Sequence, residues 1–136
     1  DRVLVSFFGG LRLAQVAPPD CCPNMGFWVA SLRDSMAAKL NTVFQRAEAK
    51  DYLDIHAMLE AGLDLADGLG CARAVYGTGF NPVLPLKALT FFEDGDLPSL
   101  SPQVKKRLTD AVRAVSDIPV ILPHAPQIGG TCEKPE

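Results

Sequence analysis

Residues 39–55, "KLNTVFQRAEAKDYLDI", set basic and acidic residues among apolar ones at helical spacing. Each helical residue turns about 100°. Lys39 and Arg46 therefore fall nearly in line on one face, and Lys50 lies close by if the helix runs that far. Met36, Leu40, Val43 and Ala47 fill the neighbouring arc, which places a cationic stripe beside a core-facing one. Asp51 and Asp54 share a face of the next helix's first turn, where carboxylates meet the positive end of the dipole. Dipoles alone favour cations at a helix end and acids at a helix start, so a solvated face accounts for the pattern too. The alternative is a pocket: Lys39, Arg46 and Asp51 converging at the turn between the two helices, as phosphate handling and proton transfer require.

Outward from this segment the chain divides into a β portion and a helical portion. "RVLVSFFGG" and "LRLAQVA" read as two short strands joined at a glycine turn. "PPDCCPN" reads as a loop and "GFWVA" as a further strand. Ser31 followed by Asp34 predicts a capped helix start, with Leu32, Met36, Leu40, Val43 or Phe44 and Ala47 on the buried stripe of a helix ending near Ala47. Asp51 opens a second helix that stops at Gly62, and Asp64 caps a third that runs to Gly77. Asn81 with Pro82, and Ser101 with Pro102, mark two more helix starts. "EDGD" breaks the chain between them. The expected fold is α+β: a two- or three-stranded element over residues 1–30, then about five helices over residues 31–117. Residues 118–136 read as an irregular tail that either wraps the domain or is disordered.

With 136 residues the chain suits one domain, and a net charge of −3 gives no global basic field for nucleic acid or anionic lipid. No apolar run approaches bilayer length, so no membrane partner is expected. Cys21, Cys22, Cys71 and Cys132 lack zinc-ligand spacing, and His56 and His124 do not cluster with them. Reduced thiols in a cytoplasmic protein, with no metal bound, are the expectation. His56 reads as a packed histidine, the glycines of "YGTGF" as a connector, and Lys105, Lys106 and Arg107 as a solvated basic face.

"SLRDSMAAKLNTVFQRAEAKDYLDIHAMLEAG" resembles the downstream half of the AbiEii/AbiGii-type nucleotidyltransferase family, toxins of bacterial toxin–antitoxin and phage-defence systems. "YGTGFNPVLPLKALTFFEDGDLPSL" also looks like a short-protein branch of that family, so the likeness covers roughly residues 3–110. It implies a nucleotidyltransferase-type fold that transfers a nucleotide from an NTP to an RNA acceptor, tRNA in some members, with Mg²⁺. By resemblance Lys39 offsets triphosphate charge, Asp51 is the catalytic base or orienter, Arg46 and Lys50 help to bind the nucleotide, and Asp54 supports them.

The family's strand-borne Asp-x-Asp is not in this chain, and Ser6 stands where a third acid can sit. The expectation is therefore a partial nucleotidyltransferase, corresponding to the C-terminal half and not catalytic alone. The alternative is a non-enzymatic binding module, from a mobile gene, that keeps the fold remnant and dimerises. An open strand edge predicts a homodimer or a strand-supplying partner chain. An antitoxin and RNA are the partners the resemblance adds.

Overall fold

In a computed structural model the described residues are Arg2 and residues 14–124. Residues 3–13, which hold nearly all of the first expected strand and the start of the second, lie outside them, and over residues 14–17 the second is only an isolated bridge at Gln15. Within them the chain forms β1 (Asp20–Cys22), β2 (Phe27–Val29), α1 (Leu32–Thr42), α2 (Ala49–Glu60), α3 (Leu65–Tyr76), α4 (Val83–Ala88) and α5 (Pro102–Ala114). Single 3-10 turns at Gly77–Gly79 and Leu97–Ser99 complete the path. The expected α+β class is what the chain adopts.

β1 pairs antiparallel with β2, Cys21 opposite Trp28. Strand β1 corrects the loop expected at "PPDCCPN". Its residues have weak strand propensity, and only the cross-strand partner makes them a strand. Successive strand residues face opposite sides, which separates the fates of two adjacent thiols. Cys21 is disulfide-bonded, and Cys22 and Cys71 are free. The expectation of reduced thiols therefore fails at Cys21.

Three helix starts follow the expected chemistry, while α4 begins at Val83 with Pro82 in the N-cap position rather than the first helical one. Ser31 Oγ accepts from the Asp34 N–H at 3.1 Å, Asp64 from the Asp67 N–H at 3.0 Å, and Ser101 from the Val104 N–H at 3.3 Å. Asp34 does more than assist this cap, since its carboxylate accepts from the backbone N–H groups of Val16 and Ala17 and ties the incoming chain to α1.

The core lies between α1 and α3, the most extensive helix pair, and extends to α2 and α5. Met36, Leu40, Ile55, Leu69 and Leu108 are fully buried in it. A Cβ on Gly68 would stand 2.6 Å from Met36 Cγ, so glycine sets how closely α3 approaches α1. Leu32 faces solvent rather than the core. Beyond α5 the chain crosses back: Ile118 and Ile121 pack against the core, and His124 bridges to Gln15.

Helix α1 ends at Thr42, well short of Ala47, and α2 starts at Ala49 rather than Asp51. Arg46 therefore sits in a connection, not on a helical stripe. The reason is tertiary. The Ala49 N–H donates to Asp96 Oδ1 at 2.7 Å, a cap that arrives from far along the chain. Glu48, at the N-cap position, makes no side-chain cap bond of its own.

Candidate functional site

Asp51 lies in the first turn of α2, and its side chain is fully buried. An ionised carboxylate without water needs every lone-pair direction answered. Two cations answer it. Lys39, from α1, donates to Asp51 Oδ1 at 2.9 Å. Arg46, from the connection, donates through Nε to Oδ2 at 2.8 Å and through Nη2 to Oδ1 at 3.3 Å, a two-pronged grip. Lys39 Nζ also reaches Asp54 Oδ2 at 2.6 Å, one helical turn on.

Lys39, Arg46, Asp51 and Asp54 thus meet where α1, its connection and α2 join. Convergence at this turn is what the spacing suggested, although the uninterrupted helix used to argue it does not exist. Lys50 stands apart. It pairs with Glu48 at 2.9 Å, and its side chain is 67% exposed. Glu48 lies 3.7 Å from Arg46 Nε as well, so Arg46 has a second acid beside it.

These contacts set the protonation states. Burial alone would raise the Asp51 pKa, but the hydrogen bonds from Arg46 and Lys39 outweigh it and hold the carboxyl below its usual range. Desolvation pulls the Lys39 ammonium down, yet Asp54 and Asp51 more than offset that and leave it above the usual lysine value. The bond to Asp51 raises Arg46 further. All three groups are therefore charged at neutral pH. A carboxylate held this acidic is a poor proton acceptor, since a general base works best near the operating pH. The geometry suits it to orient its two cations.

Two open depressions flank the cluster. One, of about 330 Å³, is lined by Ser35, Lys39, Asp54, Ala57 and Met58. The other, of about 480 Å³, lies across Arg46 and is walled by Phe44, Tyr52, Leu84 and Phe91, with Lys87 and Asp94 also on its lining. Tyr52 is placed by its hydroxyl, which donates to the Ala88 carbonyl at 3.1 Å, and by an edge contact with Phe92. Lys39 lines one depression and Arg46 the other, and Asp51, which binds both cations, lines neither.

Among the described residues, no three histidines, cysteines or carboxylates converge to hold a metal ion. Asp51 is wholly taken up by Lys39 and Arg46, so this cluster does not fit the family's Mg²⁺. The basic run on α5 is not one surface either. Lys106 pairs with Asp110, Arg107 with Glu60, and Lys105 donates to the Pro98 carbonyl. His56 is half-buried, with Nε2 3.9 Å from Glu60.

Asp96 is the residue that sequence reasoning missed, since "EDGD" reads only as a chain break. Asp51 reads as the opening residue of α2, and only once the helix is seen to start at Ala49, behind Glu48, a poor capping type, is a cap from elsewhere needed.

The family model described as "Nucleotidyl transferase AbiEii toxin, Type IV TA system" matches residues 5–126. No curated protein and no solved structure matches the chain.

Proposed function

Because this chain belongs to the nucleotidyl transferase AbiEii toxin family, we propose that Lys39 and Arg46, oriented by Asp51, form the phosphate-facing side of a nucleotidyl-transfer site. One observation carries the reading: two cations from different segments converge on one fully buried carboxylate. Such a cluster costs desolvation and is justified where fixed positive charge must face a charged group. Lys39 supplies an ammonium beside an open space, and Arg46 a planar fork matched to phosphate oxygens. Asp54 restrains Lys39 until an anion replaces it, and Lys50 stays at the outer edge with Glu48.

Mg²⁺ would neutralise triphosphate charge when bound with the nucleotide. The substrate class is a ribonucleoside triphosphate with an RNA acceptor. The cluster by itself does not complete a catalytic constellation, so the chain alone binds nucleotide without efficient transfer. Additional residues come from a second copy or a strand-supplying partner. Met25, Phe27, Trp28 and Val29, all exposed on and beside β2, are the apolar surface that a second copy would cover. An antitoxin is the regulatory partner that the family's description implies. The reading places the protein in the cytoplasm, with its triphosphate pool, and the disulfide at Cys21 then falls among the minority of intracellular disulfides.

A second reading has its own support. Counting Lys39, Arg46, Lys50 against Glu48, Asp51 and Asp54, the cluster carries three charges of each sign, and every one is paired. A non-enzymatic interaction module would show such mutual neutralisation. The test is to incubate the purified chain with Mg²⁺, the four labelled ribonucleoside triphosphates and total tRNA, and to titrate nucleotide binding in parallel. The nucleotidyltransferase reading expects saturable binding lost in Lys39→Ala, with little transfer. Absence of any triphosphate binding makes the protein a module.

A further inference from the structure

We propose that the 94–96 loop is a positioning clamp for the site, holding the 46–48 connection where Arg46 can reach Asp51. The inference rests on the reading of Lys39, Arg46 and Asp51 as that site, and it concerns residues that do not touch the cluster themselves.

The connection has little to hold it from within. Residues 46–48 are the last three of the six residues, 43–48, that belong to neither helix, and Glu48 does not cap α2 with its side chain. The Arg46 side chain is 45% exposed, so its own packing leaves it free to swing. Placement comes instead from across the fold, at two adjacent points. Asp96 Oδ1 accepts from the Ala49 N–H at 2.7 Å and pins the start of α2. Gly95, at φ +54°, brings its backbone so near Ala47 that an added Cβ would lie 2.2 Å from the Ala47 carbonyl oxygen and 3.2 Å from its Cβ. No other residue type fits both the close approach and the left-handed conformation.

The clamp is itself anchored. The Leu97 N–H donates to the Asp94 carbonyl at 3.1 Å, the Ser99 N–H to the Asp96 carbonyl at 3.0 Å, and Leu97 is buried in the core. The loop is thus a rigid piece fixed to the body of the domain, pressing on the residue next to Arg46. Asp94 and Arg46 line the same depression, so the loop also shapes the space that the guanidinium faces. Asp96 and Gly95 act through Arg46 and are positioning residues, not catalytic ones.

Around Asp51 the charged groups are Lys39 from α1, Arg46 and Glu48 from the connection, and Asp54 on its own helix. The clamp bears on Arg46 and on the start of α2 that carries Asp51, whereas Lys39 is carried by α1. The experiment therefore follows Arg46 and Asp51 directly by NMR in the full chain: solvent exchange of the Arg46 Nε–H, and the titration of the Asp51 carboxyl. Asp96→Ala is expected to speed that exchange about fivefold, the equivalent of one lost helix cap, and to move the Asp51 titration up towards the ordinary carboxylate value. Asp96→Asn keeps an oxygen acceptor for Ala49 and is expected to stay near wild type on both readouts. Gly95→Ala, which must displace Ala47, is expected to behave like Asp96→Ala and serves if that variant does not fold.

A folded Asp96→Ala or Gly95→Ala with unchanged Arg46 exchange and unchanged Asp51 titration overturns the clamp. Binding of MgATP and MgCTP is measured beside these readouts. If wild type binds neither while the clamp variants still release Arg46, the clamp stands and the nucleotide reading falls.

Discussion

Asp51 shows how one residue ties stability to the candidate chemistry. Its buried carboxylate is stabilised only while Lys39 and Arg46 stay charged and in place. Asp51→Asn keeps the shape but leaves two cations facing a neutral amide, and is expected to cost about 2 kcal/mol in urea unfolding at neutral pH. The pH dependence has a definite sign. The folded carboxyl titrates below its ordinary value of about 3.9, so on acidification the unfolded chain takes up its proton first. The stabilisation is complete above the unfolded value and is lost as the pH falls through the folded one. Wild type should therefore lose stability on going from about pH 5 to about pH 2 more steeply than Asp51→Asn. Equal slopes in the two proteins would remove Asp51 from the account.

At the scale of elements, the α1–α3 contact and the α1–α2 connection behave differently. The contact is legible in part, because Met36 and Leu40 share a helical face in the sequence, while the close approach at Gly68 belongs to the fold. Gly68→Ala gains about 1 kcal/mol of helix propensity but forces Met36 and Leu40 to yield in a filled core. The expected balance is a net loss of about 1 kcal/mol, read as a lowered Tm with unchanged helix content. A stabilised Gly68→Ala would show that the interface has slack. The connection is not legible in the same way. Periodicity carries the first helix to about Ala47, whereas it stops at Thr42, and the placement of the connection involves Asp96 and Gly95, which local pattern cannot associate with Ala47 and Ala49.

For the whole molecule, the exposed β2 residues and the returning chain decide what surface is left for a partner. Ile118 and Ile121 already cover part of the core, while Phe27, Trp28 and Val29 remain about half exposed. The homodimer reading predicts that sedimentation at micromolar concentration gives a dimer and that Trp28→Ser shifts it to monomer. A wild-type monomer at that concentration would sink it. No helix among the described residues is long and apolar enough to cross a membrane.

By itself the sequence determined the α+β class, the Ser31, Asp64 and Ser101 helix starts, the family, and the choice of Lys39, Arg46, Asp51 and Asp54 as the residues to watch. These are local properties. A hydroxyl or carboxylate at a helix start, a 3.6-residue period and a short motif all act over one or two turns. Tertiary structure decided where α1 stops, that β1 is a strand, that Asp51 is wholly buried, and that Lys50 turns away to Glu48. Each of those outcomes depends on partners distant in sequence or on burial. The free energy of a buried ion pair or a borrowed helix cap exists only once the chain has brought both members together.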